Sequence, residues 1–219
     1  TSRTSRTTTR SRTRLRSENM SLPRPYYQDS AVTLYHGDCR QIVPLLGRFD
    51  LLLTDPPYGI GFASQPTDYQ RANGMKPTSW DDEKPDVSLM GACFAAADKQ
   101  VVWGGNYFPF NPSRGWLAWC KPDAPPSMGN VEFAWTSEDR NSKHFFWSIA
   151  ATNAERLGHP TQKPLAVMSW CLSLFPDAQT VLDPFAGSGT TGRACKDLGR
   201  KCVMIEREEK YCEIAARRM

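Results

Sequence analysis

The residues with the clearest chemical potential are Asp55-Pro56-Pro57-Tyr58, directly after the apolar run Phe49–Thr54. Two prolines cannot continue strand pairing, so the chain turns there into a rigid corner. The Asp55 carboxylate and the Pro56 carbonyl then offer two acceptors at one fixed point, enough to hold both hydrogens of a base amino group. The lone pair of such an amine is delocalised into the ring, so methyl transfer to it requires a more tetrahedral nitrogen whose hydrogens are held by acceptors. The corner therefore predicts that Asp55, Pro56, Pro57 and Tyr58 catalyse methyl transfer to an exocyclic amine. We expect Asp55 to orient the amine rather than store a proton, and an extruded base to stack on Tyr58.

A second motif, the segment 183–191 (DPFAGSGTT), places Gly187 and Gly189 between an apolar strand and a helix. Glycines there allow positive φ and a close backbone approach to a ligand, and the helix start beyond them adds unpaired N–H groups. Glu206 ends the following strand, where a carboxylate can accept both hydroxyls of a ribose. The loop is neither a dinucleotide fingerprint nor a phosphate loop. It therefore indicates a nucleotide-like ligand at the carboxyl ends of the strands.

With a third motif, the segment 159–164 (HPTQKP), the chain resembles the beta-type, circularly permuted amino-methylating DNA methyltransferases. The resemblance extends from about residue 32 to residue 219, with the catalytic motif ahead of the glycine-rich loop. It implies S-adenosylmethionine as cofactor, no metal, double-stranded DNA as substrate, and the cytoplasm of a bacterial or phage-infected cell. The third motif would touch the methionine end of the cofactor, and Asp38 would hold its adenine. The cofactor-binding residues expected are Asp38, Asp55, His159, Thr161, Lys163, Asp183, Phe185, Ala186, Gly187, Gly189, Thr190, Thr191 and Glu206.

The resemblance leaves the target base to be decided between adenine N6 and cytosine N4. In this family Ser commonly replaces the first residue of the catalytic motif in cytosine enzymes, so Asp55 favours adenine. A different class of protein, a catalytically silent DNA-binding subunit that keeps the fold, is the other alternative. The intact Asp55 and the glycines of the loop argue against it.

Short apolar runs alternate with helical stretches from Val32 onwards, which predicts a parallel α/β sheet. The family resemblance implies that this fold is of the Rossmann-like, S-adenosylmethionine-dependent methyltransferase type. We expect a mostly parallel sheet with helices on both faces. Predicted strands include 32–35, 49–54, 100–103, 115–119, 131–135, 145–149, 180–182 and 202–205, and predicted helices include 87–98, 165–175, 190–198 and 208–218. Under the permuted order the first and last of these strands become neighbours, so Asp38, Glu206 and the glycine-rich loop converge.

Charge is unevenly distributed along the chain, whose formal net charge is +4. Residues 1–19 hold six arginines and one acid, which leaves residues 20–219 at −1. We expect 1–19 to be a disordered, vector- or frame-derived leader outside the fold, with a transit peptide or a basic nucleic-acid arm as the alternative. Seven cysteines without Cys-x-x-Cys spacing predict reduced thiols rather than a zinc site or a disulfide framework.

Residues 20–219 are expected to form one catalytic domain in which only about 136–158 remain for target recognition. The expected DNA contacts are Tyr58, Arg71, Lys76, Arg140 and Lys143. So small a set predicts a short recognition sequence, dimerisation on DNA, or a partner that supplies specificity. No uncharged apolar stretch is long enough to span a bilayer, so no membrane partner is expected.

Overall fold

The computed structural model describes residues 21–61, 81–126, 128–157 and 161–219, which form one nine-stranded sheet flanked by helices. The strands are β1 (Tyr27–Gln28), β2 (Val32–His36), β3 (Phe49–Thr54), β4 (Ala97–Trp103), β5 (Trp116–Cys120), β6 (Val131–Thr136), β7 (Lys143–Phe146), β8 (Thr180–Asp183) and β9 (Lys201–Glu206). The α-helices are α1 (Cys39–Ile42), α2 (Val87–Ala95), α3 (Ile149–Ala154), α4 (Leu165–Ser173), α5 (Thr190–Asp197) and α6 (Glu209–Arg218). Short 3-10 turns cover Val43–Leu45 and Gly105–Tyr107. The predicted leader, 1–19, lies outside the described residues.

The sheet has the order β1-β2-β9-β8-β3-β4-β6-β5-β7, and its centre is parallel. Strands β2, β9, β8, β3 and β4 all run in the same direction, whereas β6 is antiparallel to both β4 and β5. The predicted neighbourhood of the first and last strands is confirmed, because Val32 pairs with Cys202 and His36 pairs with Glu206. The mostly parallel α/β fold is therefore as the sequence predicted.

Helices cover both faces of the parallel strands, as alternate residues of β3 show. Leu51 and Leu53 point into one core cluster with residues of α4, α5 and α6. Leu52, between them, points into a second cluster with residues of α1 and α2. All three leucines are fully buried, which explains why β3 reads as a continuous apolar run rather than an alternating one.

One predicted strand, 145–149, is partly wrong. The edge strand β7 covers Lys143–Phe146, and a short helix, α3, begins at Ile149. Ser148 caps this helix by accepting from Ala151 N, and Asp123 accepts from the backbone N–H groups of Ile149 and Ala150. The long-range cap from Asp123 fixes the helix start, a contact that local sequence does not reveal.

Among the described residues, no helix combines the length and the apolar character needed to cross a membrane.

Candidate active site

The carboxyl ends of β3, β8 and β9 open onto one cavity of about 890 Å³. Asp55, Asp183 and Glu206 follow or end these three strands, and all three line the cavity. Parallel strands end at the same edge of a sheet, so residues far apart in the chain meet there. The volume is within the range of pockets that hold a cofactor or a small substrate.

At the catalytic corner, Asp55, Tyr58 and Lys163 form a closed hydrogen-bonded triangle. The Tyr58 hydroxyl donates to Asp55 Oδ1 at 2.6 Å, and Lys163 Nζ donates to Asp55 Oδ2 at 2.6 Å and to Tyr58 Oη at 3.2 Å. Burial raises the pKa of the Asp55 carboxyl, while the Lys163 ammonium acts in the opposite direction. Each carboxylate oxygen carries two lone pairs, so Asp55 keeps acceptor capacity facing the cavity.

The Tyr58 ring is held in place by contacts from two other segments. Asp81 Oδ1 accepts from the backbone N–H of Tyr58 at 2.7 Å and from that of Gly59 at 3.2 Å. Tyr107 stacks on the ring with centroids 5.0 Å apart. Gly104 has φ +67°, and a Cβ there would lie 2.0 Å from Tyr58 Cε1. The site therefore needs glycine at position 104 both for its backbone conformation and for the space that the ring occupies.

The glycine-rich loop is fastened to the neighbouring strand and to the last helix. Gly187 N donates to Glu206 Oε2 at 2.8 Å, and Ala186 N donates to the Ile205 carbonyl at 3.0 Å. Gly189 has φ +78°, and a Cβ there would approach the Cβ of Ala215 to 2.8 Å. These contacts give the turn between β8 and α5 a defined shape at the cavity wall.

Two acids at the far side of the loop converge as the permuted order predicts. Gly37 N donates to the Glu206 carbonyl at 2.9 Å, which brings Asp38 next to the end of β9. The Glu206 carboxylate also accepts from Glu208 N at 2.8 Å, and burial raises its pKa. Asp38 caps α1 through Arg40 N at 2.8 Å, and its side chain is 36% exposed. Both carboxylates line the cavity and retain free lone pairs.

A buried acid, Asp183, connects the catalytic strand with the glycine-rich loop. Its Oδ1 accepts from the Thr54 hydroxyl at 2.7 Å and from Phe185 N at 3.2 Å. Burial raises the pKa of Asp183 to about 6, although hydrogen bonds from Thr191 and Thr54 oppose the shift. The carboxyl thus ties the ends of β3 and β8 together.

Gln162 joins the third motif to the same loop. Its Oε1 accepts from Leu157 N at 3.1 Å and from the Ser188 hydroxyl at 3.2 Å, and its amide donates to the Glu155 carbonyl at 3.1 Å. The side chain is buried. These bonds position the adjacent Lys163 for its contact with Asp55.

Comparison with known proteins identifies the family. A family model described as DNA methylase, covering N6 and N4 methyltransferases, matches residues 121–217. The type II methyltransferase M.HinfI of Haemophilus influenzae is 27% identical over 247 residues, which covers 85% of this chain and 68% of that protein. Residues 121–217 thus match the amino-methylating DNA methyltransferase family, and the similarity to its curated members extends over most of the chain.

Two solved structures show the same fold. M1.HpyAVI in complex with SAM has a TM-score of 0.59 at 21% identity and covers 85% of this chain and 98% of its own. The PvuII DNA methyltransferase, which is cytosine-N4-specific, has a TM-score of 0.60 at 18% identity and covers 89% of this chain and 88% of its own.

Most of the residues that the family resemblance singled out line the common cavity. They are Asp38, Asp55, Pro56, Pro57, Tyr58, Thr161, Lys163, Asp183, Phe185, Ala186, Gly187, Thr190, Thr191 and Glu206. Gly189 lies behind the loop, against α6. His159, Arg71 and Lys76 lie outside the described residues.

Arg140 and Lys143 are not brought to the site. Arg140 donates to the Leu174 carbonyl at 3.2 Å and stacks over the Phe175 ring, just before β8 begins. Lys143 is the first residue of β7, which runs in the same direction as β3. Lys143 therefore lies where the parallel strands begin, whereas the cavity lies where they end. Neither residue lines the cavity, and their contact with DNA stays a prediction. The proposed recognition segment also contains β7 and α3, so part of it belongs to the scaffold.

Several cavity residues were not singled out from the sequence, chiefly Lys121, Glu132 and Asp81, and Gln162 was included only as part of the third motif. Lys121 directly follows β5, and Glu132 lies in β6; both strands are rich in aromatic residues. Glu132 is the single charged residue of β6, which was the available signal, because a charge on an inward face needs a partner.

Proposed function

We propose that this chain transfers a methyl group from S-adenosylmethionine to adenine N6 in double-stranded DNA. The observation that carries the proposal is the shared cavity, in which the Asp55 corner faces the glycine-rich loop and Glu206. When bound, the cofactor supplies an electrophilic methyl group on a sulfonium. The family match and the SAM complex of M1.HpyAVI support the choice of cofactor.

The residues present fit such a cofactor. Glu206 and Asp38 offer carboxylate acceptors for ribose and adenine groups at the ends of β9 and β2. The loop from Phe185 to Gly187 supplies backbone surface between them and Asp55. Thr161, in the third motif, also lines the cavity, where it can bind the amino-acid end.

Asp55 and the Pro56 carbonyl hold the hydrogens of the target amine, which turns its nitrogen lone pair towards the methyl donor. Positioning of this kind lowers the barrier without a change in the protonation of Asp55. The Tyr58 ring is held by stacking on Tyr107 and lines the cavity, where a base that is turned out of the helix would stack on it.

Adenine is favoured by Asp55 at the head of the catalytic motif. The fold itself accommodates cytosine N4 as well, since the cytosine-N4-specific PvuII enzyme has it. The beta-type order is supported by the position of Asp55 ahead of the glycine-rich loop and by the pairing of β2 with β9. Recognition through a homodimer or a separate partner remains part of the proposal.

The test is incubation with labelled cofactor and unmethylated genomic DNA, followed by nucleoside analysis. N6-methyladenine is the expected product, and N4-methylcytosine alone would overturn the choice of base. Cofactor binding without transfer to any DNA would establish the silent-subunit alternative.

Asp55→Ala is expected to lower kcat, measured at saturating cofactor, by about a hundredfold or more, because the acceptor for the amine is removed. Asp139→Ala is the matched control. Its side chain is 82% exposed and pairs with Arg114 at the far edge of the sheet, so activity should be retained. Full activity in Asp55→Ala would refute the mechanism.

A further inference from the structure

Four charged side chains of alternating sign form a continuous array that starts at Asp55. Lys163 Nζ contacts Asp55 Oδ2 at 2.6 Å and Glu132 Oε2 at 3.1 Å. The other oxygen of Glu132, Oε1, accepts from Lys121 Nζ. The array of Asp55, Lys163, Glu132 and Lys121 thus sums to zero formal charge, and all four residues line the cavity.

Both cations of the array are almost completely removed from solvent. The side chain of Lys163 is 7% exposed and that of Lys121 is 6% exposed. Lys163 Nζ lies 5.5 Å from the centroid of the Trp103 ring, and Lys121 Nζ lies 4.6 Å from that of Trp119. Buried ammonium groups require ionised partners, and removal of one partner leaves an uncompensated charge that water screens poorly.

The carboxylates are what keep Lys163 charged. Burial alone would lower the pKa of Lys163, but Asp55 and Glu132 outweigh it and the pKa is raised. Burial acts to raise the pKa of Glu132, yet Lys163 and Lys121 overcome it and hold the pKa at about 2. Glu132 and Lys163 are therefore held in their charged forms by their partners in the array.

A neutral array matters because the proposed reaction is cationic from start to finish. The donor carries a sulfonium charge. As the amine lone pair forms the bond to the methyl carbon, the sulfur–methyl bond breaks and leaves neutral S-adenosylhomocysteine. The positive charge passes to the amine nitrogen until its surplus proton leaves to solvent. Asp55 and Lys163 cancel each other, and Lys121 would leave the site at +1 if Glu132 were absent. A net positive site would oppose both the donor and the transition state.

We propose that Glu132 is a positioning residue that shares Lys163 with Asp55 and, together with Lys121, keeps the methyl-transfer point electrically neutral. This inference rests on the proposed function and assigns a role to residues that the family motifs do not contain.

Charge-selective binding tests it without turnover. S-adenosylmethionine is cationic at sulfur, whereas its demethylated form, S-adenosylhomocysteine, is neutral there, so the ratio of their Kd values measures the charge of the site. Glu132→Gln should weaken binding of the cationic form about tenfold or more relative to the neutral form, since one unit charge acts at short range in a site of effective dielectric about 20. Lys121→Gln should shift the ratio in the opposite direction.

The double variant Glu132→Gln/Lys121→Gln removes one negative and one positive charge and so restores neutrality. Its ratio of Kd values should return to within about threefold of the wild-type ratio, because the effects of two interacting charges compensate each other in a double-mutant cycle. Its kcat should exceed that of Glu132→Gln, with KM for DNA unchanged. Glu132→Asp keeps the charge and should keep the wild-type ratio, and thermal unfolding of each variant checks folding.

Equal weakening of both ligands in Glu132→Gln, or a double variant worse than either single variant, would show a purely structural ion pair and overturn the inference. These binding outcomes require only that the wild type binds both ligands, and they do not depend on methyl transfer. A wild type that transfers none would refute the proposed function itself, a result that is distinct from the failure of the array.

Discussion

Asp183 makes the stability of this protein depend on pH in a direction opposite to that of most carboxylates. Its side chain is buried at the junction of β8 and the glycine-rich loop, and burial raises its pKa from the ordinary 3.8 to about 6. The folded state therefore binds this proton more tightly than the unfolded state does. The stabilising contribution is complete below pH 3.8 and is lost as the pH rises through about 6.

The magnitude follows from the shift. One pKa unit corresponds to 1.36 kcal/mol, so the change in the free energy of unfolding is about 3 kcal/mol across this window. In Asp183→Asn the residue no longer titrates. The difference in unfolding free energy, wild type minus Asp183→Asn, should therefore fall by about 3 kcal/mol between pH 4 and pH 7 and stay constant above that.

Urea denaturation at half-unit pH intervals measures this difference. Asp50→Asn is the matched control at the opposite edge of the sheet, where Asp50 accepts from Thr180 N and Gln179 N and its pKa is lowered. Asp50 stabilises the folded state above its ordinary pKa, and this stabilisation is lost only as the pH falls through the lowered pKa of the folded state. The difference in unfolding free energy between wild type and Asp50→Asn should therefore not change near pH 6. A difference for Asp183→Asn that does not change with pH would refute the assignment of a raised pKa.

Two further substitutions test how Tyr58 is held. Gly104→Ala should destabilise the fold and reduce activity, because the backbone has φ +67° and the new Cβ would overlap Tyr58; Gly199→Ala is the control, with φ +68° and no atom within 4 Å of the new Cβ. The positive φ should lower the free energy of unfolding of both variants by about 1–2 kcal/mol, as measured by urea denaturation. Only Gly104→Ala should be destabilised by more than this and lose activity. Asp81→Ala removes the acceptor for Tyr58 N and Gly59 N and should lower kcat by up to about a hundredfold. Asp81→Asn, which keeps an acceptor oxygen, should restore most of the rate; equal activity of Asp81→Ala and wild type would show that this anchor is dispensable.

The parallel core was predictable because its signals are local. The run Phe49–Thr54 is apolar throughout and is stopped by two prolines, so the observed strand has the predicted bounds. The glycines at 187 and 189 likewise marked a turn that needs positive φ, and both have it. The sequence therefore located the parts of the cavity wall in which a strand is followed directly by motif residues, namely Asp55 after β3 and the glycine-rich loop after β8.

The remainder depends on contacts between distant segments. Lys121 and Glu132 face the cavity only because β5 and β6 extend the sheet beside β4, a pairing that alternating aromatic residues do not specify. Arg140 was expected to contact DNA, and nothing in the sequence indicated that its guanidinium packs on Phe175, 35 positions along the chain. The role of Lys163 in the triangle with Tyr58 was also hidden, since its motif suggested only the cofactor.

The parallel pairing of β2 with β9 has a consequence for how the protein is made. His36 contacts the Arg207 carbonyl across 171 positions of sequence, so the wall that contains Asp38 and Glu206 closes only when both halves of the chain are available. Contacts of such separation form slowly, because the entropy of closing the intervening loop must be overcome first. We expect a nascent chain on the ribosome to have no affinity for the cofactor until β9 has emerged, a sequence of events that stalled chains of graded length would time directly.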